Sequence, residues 1–90
     1  MRTLHIIVTG IVQGVCFRYF TSYNAKQFGI HGYVKNLSNG DVEIIAQSET
    51  QNLQPFLEKL KLGPPAARVD DIKIEEDTEQ TEYDSFEIAY

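Results

Sequence analysis

Residues 3–28 read TLHIIVTGIVQGVCFRYFTSYNAKQF, and the fold follows from a change of period inside this stretch. Leu4, Ile6 and Val8 alternate, as one buried face of a strand requires, while Ile7 and Ile11 place apolar groups on the other side. Residues 3–12 are therefore predicted as a strand from the middle of a sheet. Phe17, Thr21, Ala25 and Phe28 then recur at helical spacing, which predicts a helix over 17–28. Gly29 stands where the end of that helix favours a left-handed residue. The switch from period 2 to period 3.6 happens across a short loop framed by Gly10 and Gly14.

Working outward, residues 30–36 read as a second strand. Ser38-Asn39-Gly40 is a turn signal, and Val42, Ile44 and Ala46 alternate after it, so the pair forms a hairpin. Leu53, Phe56, Leu57 and Leu60 fall at i, i+3, i+4 and i+7, an amphipathic helix. Pro55 lacks an amide hydrogen, so regular bonding is expected from about residue 51 or 52, or else with a bent first turn. Gly63-Pro64-Pro65 ends that helix. Residues 69–76, with Ile72 and Ile74 in phase, predict a fourth strand, and Phe86, Ile88 and Tyr90 a last one of period 2. The order is βαββαβ with an extra terminal strand. Right-handed crossovers put both helices on the same side of the sheet. The expected fold class is α+β: a ferredoxin-like βαββαβ sandwich with a mostly antiparallel sheet of four to five strands and two helices on one face. Residues 1–90 are expected to make one domain, with a radius of gyration of about 12 Å. Such a fold does not by itself select a function.

Eight basic residues face 13 acidic ones, for a net charge of −5. The acids crowd toward the C-terminus, with Asp70, Asp71, Glu75, Glu76, Asp77, Glu79, Glu82 and Asp84 among them, and read as the solvated face of a strand pair. A chain so charged repels nucleic acid and anionic membrane, so any anion must be held by a small, locally built site. No apolar run is long enough to span a membrane and no secretory signal is visible. The single cysteine, Cys16, allows no intrachain disulfide, and a reducing, cytoplasmic setting is expected, with the chain acting as a monomer.

The loop Gly10-Ile11-Val12-Gln13-Gly14-Val15-Cys16-Phe17-Arg18 carries the chemistry. Its glycines let the backbone curl so that successive N–H groups converge on one centre. The helix that follows adds its unpaired N–H groups and the positive end of its dipole. Arg18 brings a planar fork of donors to the same place. Together these suit a phosphate. Neither the Walker A pattern nor the dinucleotide glycine pattern is present. Cys16 and Arg18 have one residue between them, too tight for a phosphocysteine loop, so Cys16 is read as a small packing residue. A second constellation is Gly32-Tyr33-Val34-Lys35-Asn36, whose alternation puts Gly32, Val34 and Asn36 on one side. His5 and His31 read as surface strand residues, and no metal site is expected. Tyr19, Phe20 and Tyr23 read as core and rim packing.

These two stretches closely resemble the acylphosphatase family. The signature Gly-x-Val-Gln-Gly-Val-x-Phe-Arg is matched at every fixed position by residues 10–18, and Gly-aromatic-Val-Lys-Asn-x-x-x-Gly-x-Val by residues 32–42. The second pattern's closing glycine falls at Ser48, which is expected to alter the turn into the second helix rather than the site. The resemblance implies an enzyme that hydrolyses the mixed anhydride of a carboxylic acid and phosphate. It implies that Arg18 binds the phosphoryl group and that Asn36 holds the attacking water. The backbone amides of Gln13, Gly14, Val15, Cys16 and Phe17 would form the cradle. No metal, cofactor or covalent intermediate is implied; the partners are a small acyl phosphate and the product inorganic phosphate. Two other modules share this strand–helix order. A non-catalytic phosphate sensor would need no water holder at Asn36. An RNA-binding module is opposed by the acidic charge and by a missing second aromatic. The same module opens some larger maturation enzymes, and a stand-alone enzyme is expected here.

Overall fold

The computed structural model describes residues 1–78 and 81–90, so Glu79 of the acidic cluster lies outside the described residues. The chain runs β1 (Arg2–Ile11), α1 (Phe17–Gln27), β2 (His31–Asn36), β3 (Val42–Ser48), α2 (Thr50–Leu62), β4 (Arg68–Glu76) and β5 (Phe86–Ala89). The strands form one sheet in the order β4-β1-β3-β2-β5. Neighbours are antiparallel except β2 and β5, which run parallel. This is the expected ferredoxin-like arrangement, with the extra strand β5 added beside β2, and β1 is central as its two apolar sides predicted. The radius of gyration is 11.8 Å.

Register fixes which side chains share a face. Leu4, Ile6 and Val8 of β1 pair with Ala46, Ile44 and Val42 of β3, which in turn pair with Gly32, Val34 and Asn36 of β2. On this face the sheet packs against Phe17 and Ala25 of α1 and Leu53, Phe56 and Leu60 of α2, all buried. The rings of Phe56 and Phe86 meet edge-on at 6.5 Å and join α2 to β5. Asn36 is the last residue of β2 on this same face, directly beyond Val34.

One detail departs from expectation, and another falls where it was expected. Helix α2 begins at Thr50, not 51 or 52, because the amides of Asn52 and Leu53 both reach the carbonyl of Glu49, at 3.0 and 3.1 Å. Pro55 lies one turn further in and removes only the bond that the Gln51 carbonyl would accept. At the turn into α2, Ser48 is buried; its hydroxyl donates to the Gly29 carbonyl at 3.1 Å and accepts from the Asn52 amide at 3.2 Å. The hydroxyl thus ties the end of α1 to the start of α2.

The sheet's other face is not bare. Strands β4 and β5 occupy opposite edges, so the chain must cross the whole sheet between them. Gln47 pins that crossing: its amide donates to the Thr81 carbonyl at 2.8 Å, and its side-chain oxygen accepts from the Tyr83 amide at 3.1 Å. Tyr33 and Tyr83 meet edge-on at 6.3 Å, and Ile45, on this side, is only 4% exposed. Glu43 accepts from the Tyr33 hydroxyl at 3.1 Å and pairs with His5 at 2.9 Å, so His5 is a half-buried partner and not the surface residue its sequence position predicted. His31 is exposed, as expected. No helix among the described residues is long and apolar enough to cross a membrane.

Gly32 shows how close β2 and β3 run: with φ at 138°, a Cβ there would sit 1.9 Å from the Ile45 carbonyl oxygen. Gly32→Ala is expected to lower stability by about 2–4 kcal/mol, read as a shift in the urea midpoint at unchanged slope. Burial and the Glu43 carboxylate push the Tyr33 hydroxyl from 10.0 up to about 12. The folded state thus favours the protonated phenol, so the stability Tyr33 contributes is intact below pH 10 and fades between pH 10 and 12. Tyr33→Phe should make the stability profile flatter across that window, and an unchanged slope would refute the assignment.

Candidate functional site

Between β1 and α1 the chain turns sharply. Gly14 and Cys16 both take left-handed backbone angles, φ 73° and 65°. For Cys16, which carries a Cβ, this conformation is held against a cost of about 1–2 kcal/mol. The alternation curls the loop and turns the Cys16 side chain outward, where it is exposed. Cys16, read from the sequence as a small packing residue, is exposed instead, for a backbone reason that residue type does not reveal. Val15 does pack against the core.

Cys16 is also the N-cap of α1, and it makes no side-chain capping bond; the first turn contains no acidic residue. The first amide to find a helical partner in this turn is that of Phe20, which donates to the Cys16 carbonyl at 3.0 Å. The N–H groups ahead of it are left facing outward with the positive end of the dipole behind them.

A cleft of about 300 Å³ opens at this point, at the small end of the range for ligand pockets. Gly14, Cys16, Phe17, Arg18 and Tyr19 line one side and Asn36 another; Val12, Ile88 and Tyr90 complete the wall. The structure thus brings together Gly14, Cys16, Phe17, Arg18 and Asn36 from the residues that the sequence singled out. Gln13 and Val15 do not line the cleft.

Gln13 has a different place. Its side-chain amide donates to the carbonyls of Leu37 and Asp41, at 2.7 and 2.8 Å. Both hydrogens of one amide are spent on the hairpin that carries Asn36, so the loop and the hairpin are joined side by side.

Arg18 forms no hydrogen bond or ion pair with another of the described residues. Its guanidinium lies 4.8 Å from the centroid of the Tyr90 ring. The cation lies over one face of the ring, and its N–H groups remain free to bind an anion. At Asn36, Oδ1 is shielded from solvent and accepts no hydrogen bond among the described residues, a state shared with Thr21 Oγ1 on α1. An acceptor left so costs about 1–3 kcal/mol unless something fills it. Among the described residues the cleft lining carries no carboxylate or imidazole side chain. Among the described residues no group of three or more His, Cys, Asp or Glu side chains could hold a metal ion.

Tyr90 was legible only as the end of a strand, and its stacking on Arg18 was not. The signal available is the period of Phe86, Ile88 and Tyr90, which carries the third residue to the helix side of the sheet. Tyr19 and Tyr23 are 69% and 55% exposed, so neither is a core residue: α1 buries Thr21 and Ala25 and turns both tyrosines outward.

A family model described as Acylphosphatase matches residues 4–88. The chain is 49% identical over 90 residues to an acylphosphatase of Archaeoglobus fulgidus, covering all of both chains. It is 49% identical to one of Vibrio vulnificus over 88 residues, covering 98% of this chain and 97% of that one. The crystal structure of acylphosphatase from Bacillus subtilis superposes with a TM-score of 0.96 at 41% identity, again over the whole of both chains.

Removing the Gln13 tie is expected to matter twice. Gln13→Ala loses two bonds worth about 0.5–1.5 kcal/mol each, so denaturant unfolding should show a loss of about 1–3 kcal/mol, and turnover should fall with it. Gln13→Glu, which sets a carboxylate against two carbonyl oxygens, should be at least as damaging. A Gln13→Glu protein as stable and active as the wild type would contradict this role.

Proposed function

This chain belongs to the acylphosphatase family, and from that membership we propose how it hydrolyses an acyl phosphate to a carboxylate and inorganic phosphate. The phosphoryl oxygens accept hydrogen bonds from backbone amides of the loop 13–17, of which Gly14, Cys16 and Phe17 line the cleft, and from the N–H groups of Arg18. A water is held by the Asn36 carboxamide, through its oxygen or its NH2, so that a lone pair of the water points at phosphorus. The water oxygen bonds to phosphorus as the bond from phosphorus to the acyl oxygen breaks, and the electron pair leaves on the carboxylate. The proton of the water passes to an oxygen of the substrate's own phosphate. A neutral carboxamide cannot serve as a base near pH 7, so Asn36 positions and does not deprotonate.

This is enough catalysis for the reaction. A carboxylate is a good leaving group, and positioning plus stabilisation of the charge on the equatorial oxygens is how phosphoryl transfer is generally accelerated. The route as proposed uses no metal, cofactor or covalent intermediate. The exposed thiol fits a reducing, cytoplasmic setting, and action as a monomer belongs to the same proposal.

One observation carries the reading: Asn36, whose Oδ1 accepts no hydrogen bond among the described residues, lines the same cleft as Arg18 and the start of α1. A water held there by the carboxamide would stand beside the bound phosphoryl group. A module that only sensed phosphate would have no use for such a side chain there.

The test is hydrolysis of an acyl phosphate in the presence of a chelator. Arg18→Ala should weaken both inhibition by phosphate and turnover, since its charge-assisted bonds, about 1.5–3 kcal/mol each, act in ground and transition states alike. Asn36→Ala should lower turnover by about 10²–10³ and leave phosphate inhibition largely intact. Near-normal turnover in Asn36→Ala would defeat the water-positioning role and favour a phosphate-binding module instead.

A further inference from the structure

The hairpin that carries Asn36 turns through Leu37-Ser38-Asn39-Gly40-Asp41, and an asparagine followed by glycine is chemically labile. A backbone nitrogen can attack the side-chain carbonyl of the asparagine before it, and glycine leaves that nitrogen least crowded. Asn24, Asn36 and Asn52 precede Ala25, Leu37 and Leu53, and Asn24 and Asn52 lie inside helices. Asn39 alone of the four asparagines has glycine after it.

The turn is built in a way that favours the step. Asn39 and Gly40 are exposed, and a Cβ on Gly40 would meet no atom within 4 Å, so there is room for a small ring to form. The Asp41 amide donates to Asn39 Oδ1 at 3.0 Å, and the Asp41 carboxylate accepts from Asn39 Nδ2 at 3.2 Å. These bonds fold the side chain back along its own backbone, beside the intervening Gly40 nitrogen. The N–H at Oδ1 also stabilises the negative charge that attack would place there. What opposes attack is the bond from the Gly40 amide to the Leu37 carbonyl, 3.2 Å long. Gln13 reinforces the same turn by donating to that carbonyl and to that of Asp41.

We propose that Asn39 is a site of spontaneous modification, converting to isoaspartate, and that the change slackens the hairpin and disarms the active site. The Gly40 nitrogen bonds to Asn39 Cγ and yields its proton to solvent. The bond from Cγ to Nδ2 breaks, and ammonia leaves with a proton taken from solvent. Water then opens the cyclic imide. Addition at Cγ gives aspartate with an unchanged backbone; addition at the main-chain carbonyl carbon of residue 39 gives isoaspartate, whose backbone is longer by one methylene. That extra atom lies between the two carbonyls that Gln13 grips, three residues beyond Asn36. The loss of turnover rests on the role proposed above for Asn36; the modification does not.

The test incubates the intact protein in mildly alkaline buffer, with wild type, Asn39→Ser, Asn39→Asp and Gln13→Ala in parallel. Peptide mass follows residue 39, enzymatic methylation reads isoaspartate, and hydrolysis of an acyl phosphate reads turnover. Wild type should gain isoaspartate at residue 39 and lose turnover in proportion. Asn39→Ser, which has no side-chain amide to attack but keeps an acceptor for the Asp41 amide, should hold its turnover. Freshly made Asn39→Asp should match fresh wild type, since the added charge leaves the backbone length unchanged. Gln13→Ala should convert about 5-fold faster or more, the effect of two lost hydrogen bonds on opening of the turn. If residue 39 is still asparagine in wild type and Gln13→Ala alike when a synthetic peptide of residues 37–42 has converted, the modification is overturned. Isoaspartate without loss of turnover overturns the slackening of the site. Fresh wild type that hydrolyses no acyl phosphate overturns the hydrolysis, while the peptide masses still decide the modification.

Discussion

The side-chain amide of Gln13 donates both its hydrogens to one hairpin, at the carbonyls of Leu37 and Asp41, and the site depends on that contact. Arg18 belongs to the segment after β1, whereas Asn36 closes β2, so the two are held by different parts of the chain. Sheet pairing sets β2 beside β3 and β3 beside β1, but it does not reach the loop beyond Ile11. An amide that bridges loop and hairpin supplies the missing constraint. Both carbonyls also accept from a backbone amide of the hairpin, Leu37 from Gly40 and Asp41 from Leu37, so Gln13 adds a second bond to each and fastens the loop to a turn already closed.

An anion site inside a molecule of net charge −5 requires that the acids stay remote or face away. Sheet order accomplishes part of this. The acids of β4 lie three strand spacings from β2, or about 14 Å, more than the screening length of about 8 Å at physiological salt. The cradle itself follows β1, whose end pairs with the start of β4, and there Arg68 engages Asp70 at 2.9 Å. Glu87 on β5 is nearer, but it is in register with Tyr33 and so belongs to the sheet's other face. Near the cleft the field is set by Arg18 and by a helix start without acidic side chains. The charge of the whole chain therefore says little about the charge felt in the cleft.

How much of this was legible in the sequence depends on how local each feature is. Element order, face assignment and the hairpin follow from period and turn residues, so Leu4, Ile6 and Val8 and the run Val42, Ile44 and Ala46 all sit where their alternation places them. Arg18 and Asn36 were legible as a pair through two motifs and converge on one cleft. What escaped was non-local or a matter of backbone angle. The left-handed conformation of Cys16 turns a small residue outward. His5 is drawn into a bond with Glu43 by the pairing of β1 with β3. Gln13, read for its main-chain amide, acts with its side chain on a turn 24 residues away. Tyr90 meets Arg18 only because β5 aligns beside β2.

A structure with inorganic phosphate bound tests the central claim most directly. The account predicts phosphate within hydrogen-bond distance of the backbone amides between Gln13 and Phe17 and of the nitrogens of Arg18, with an ordered water held by the Asn36 carboxamide. Phosphate bound elsewhere, with the loop empty and Arg18 turned into solvent, would contradict it.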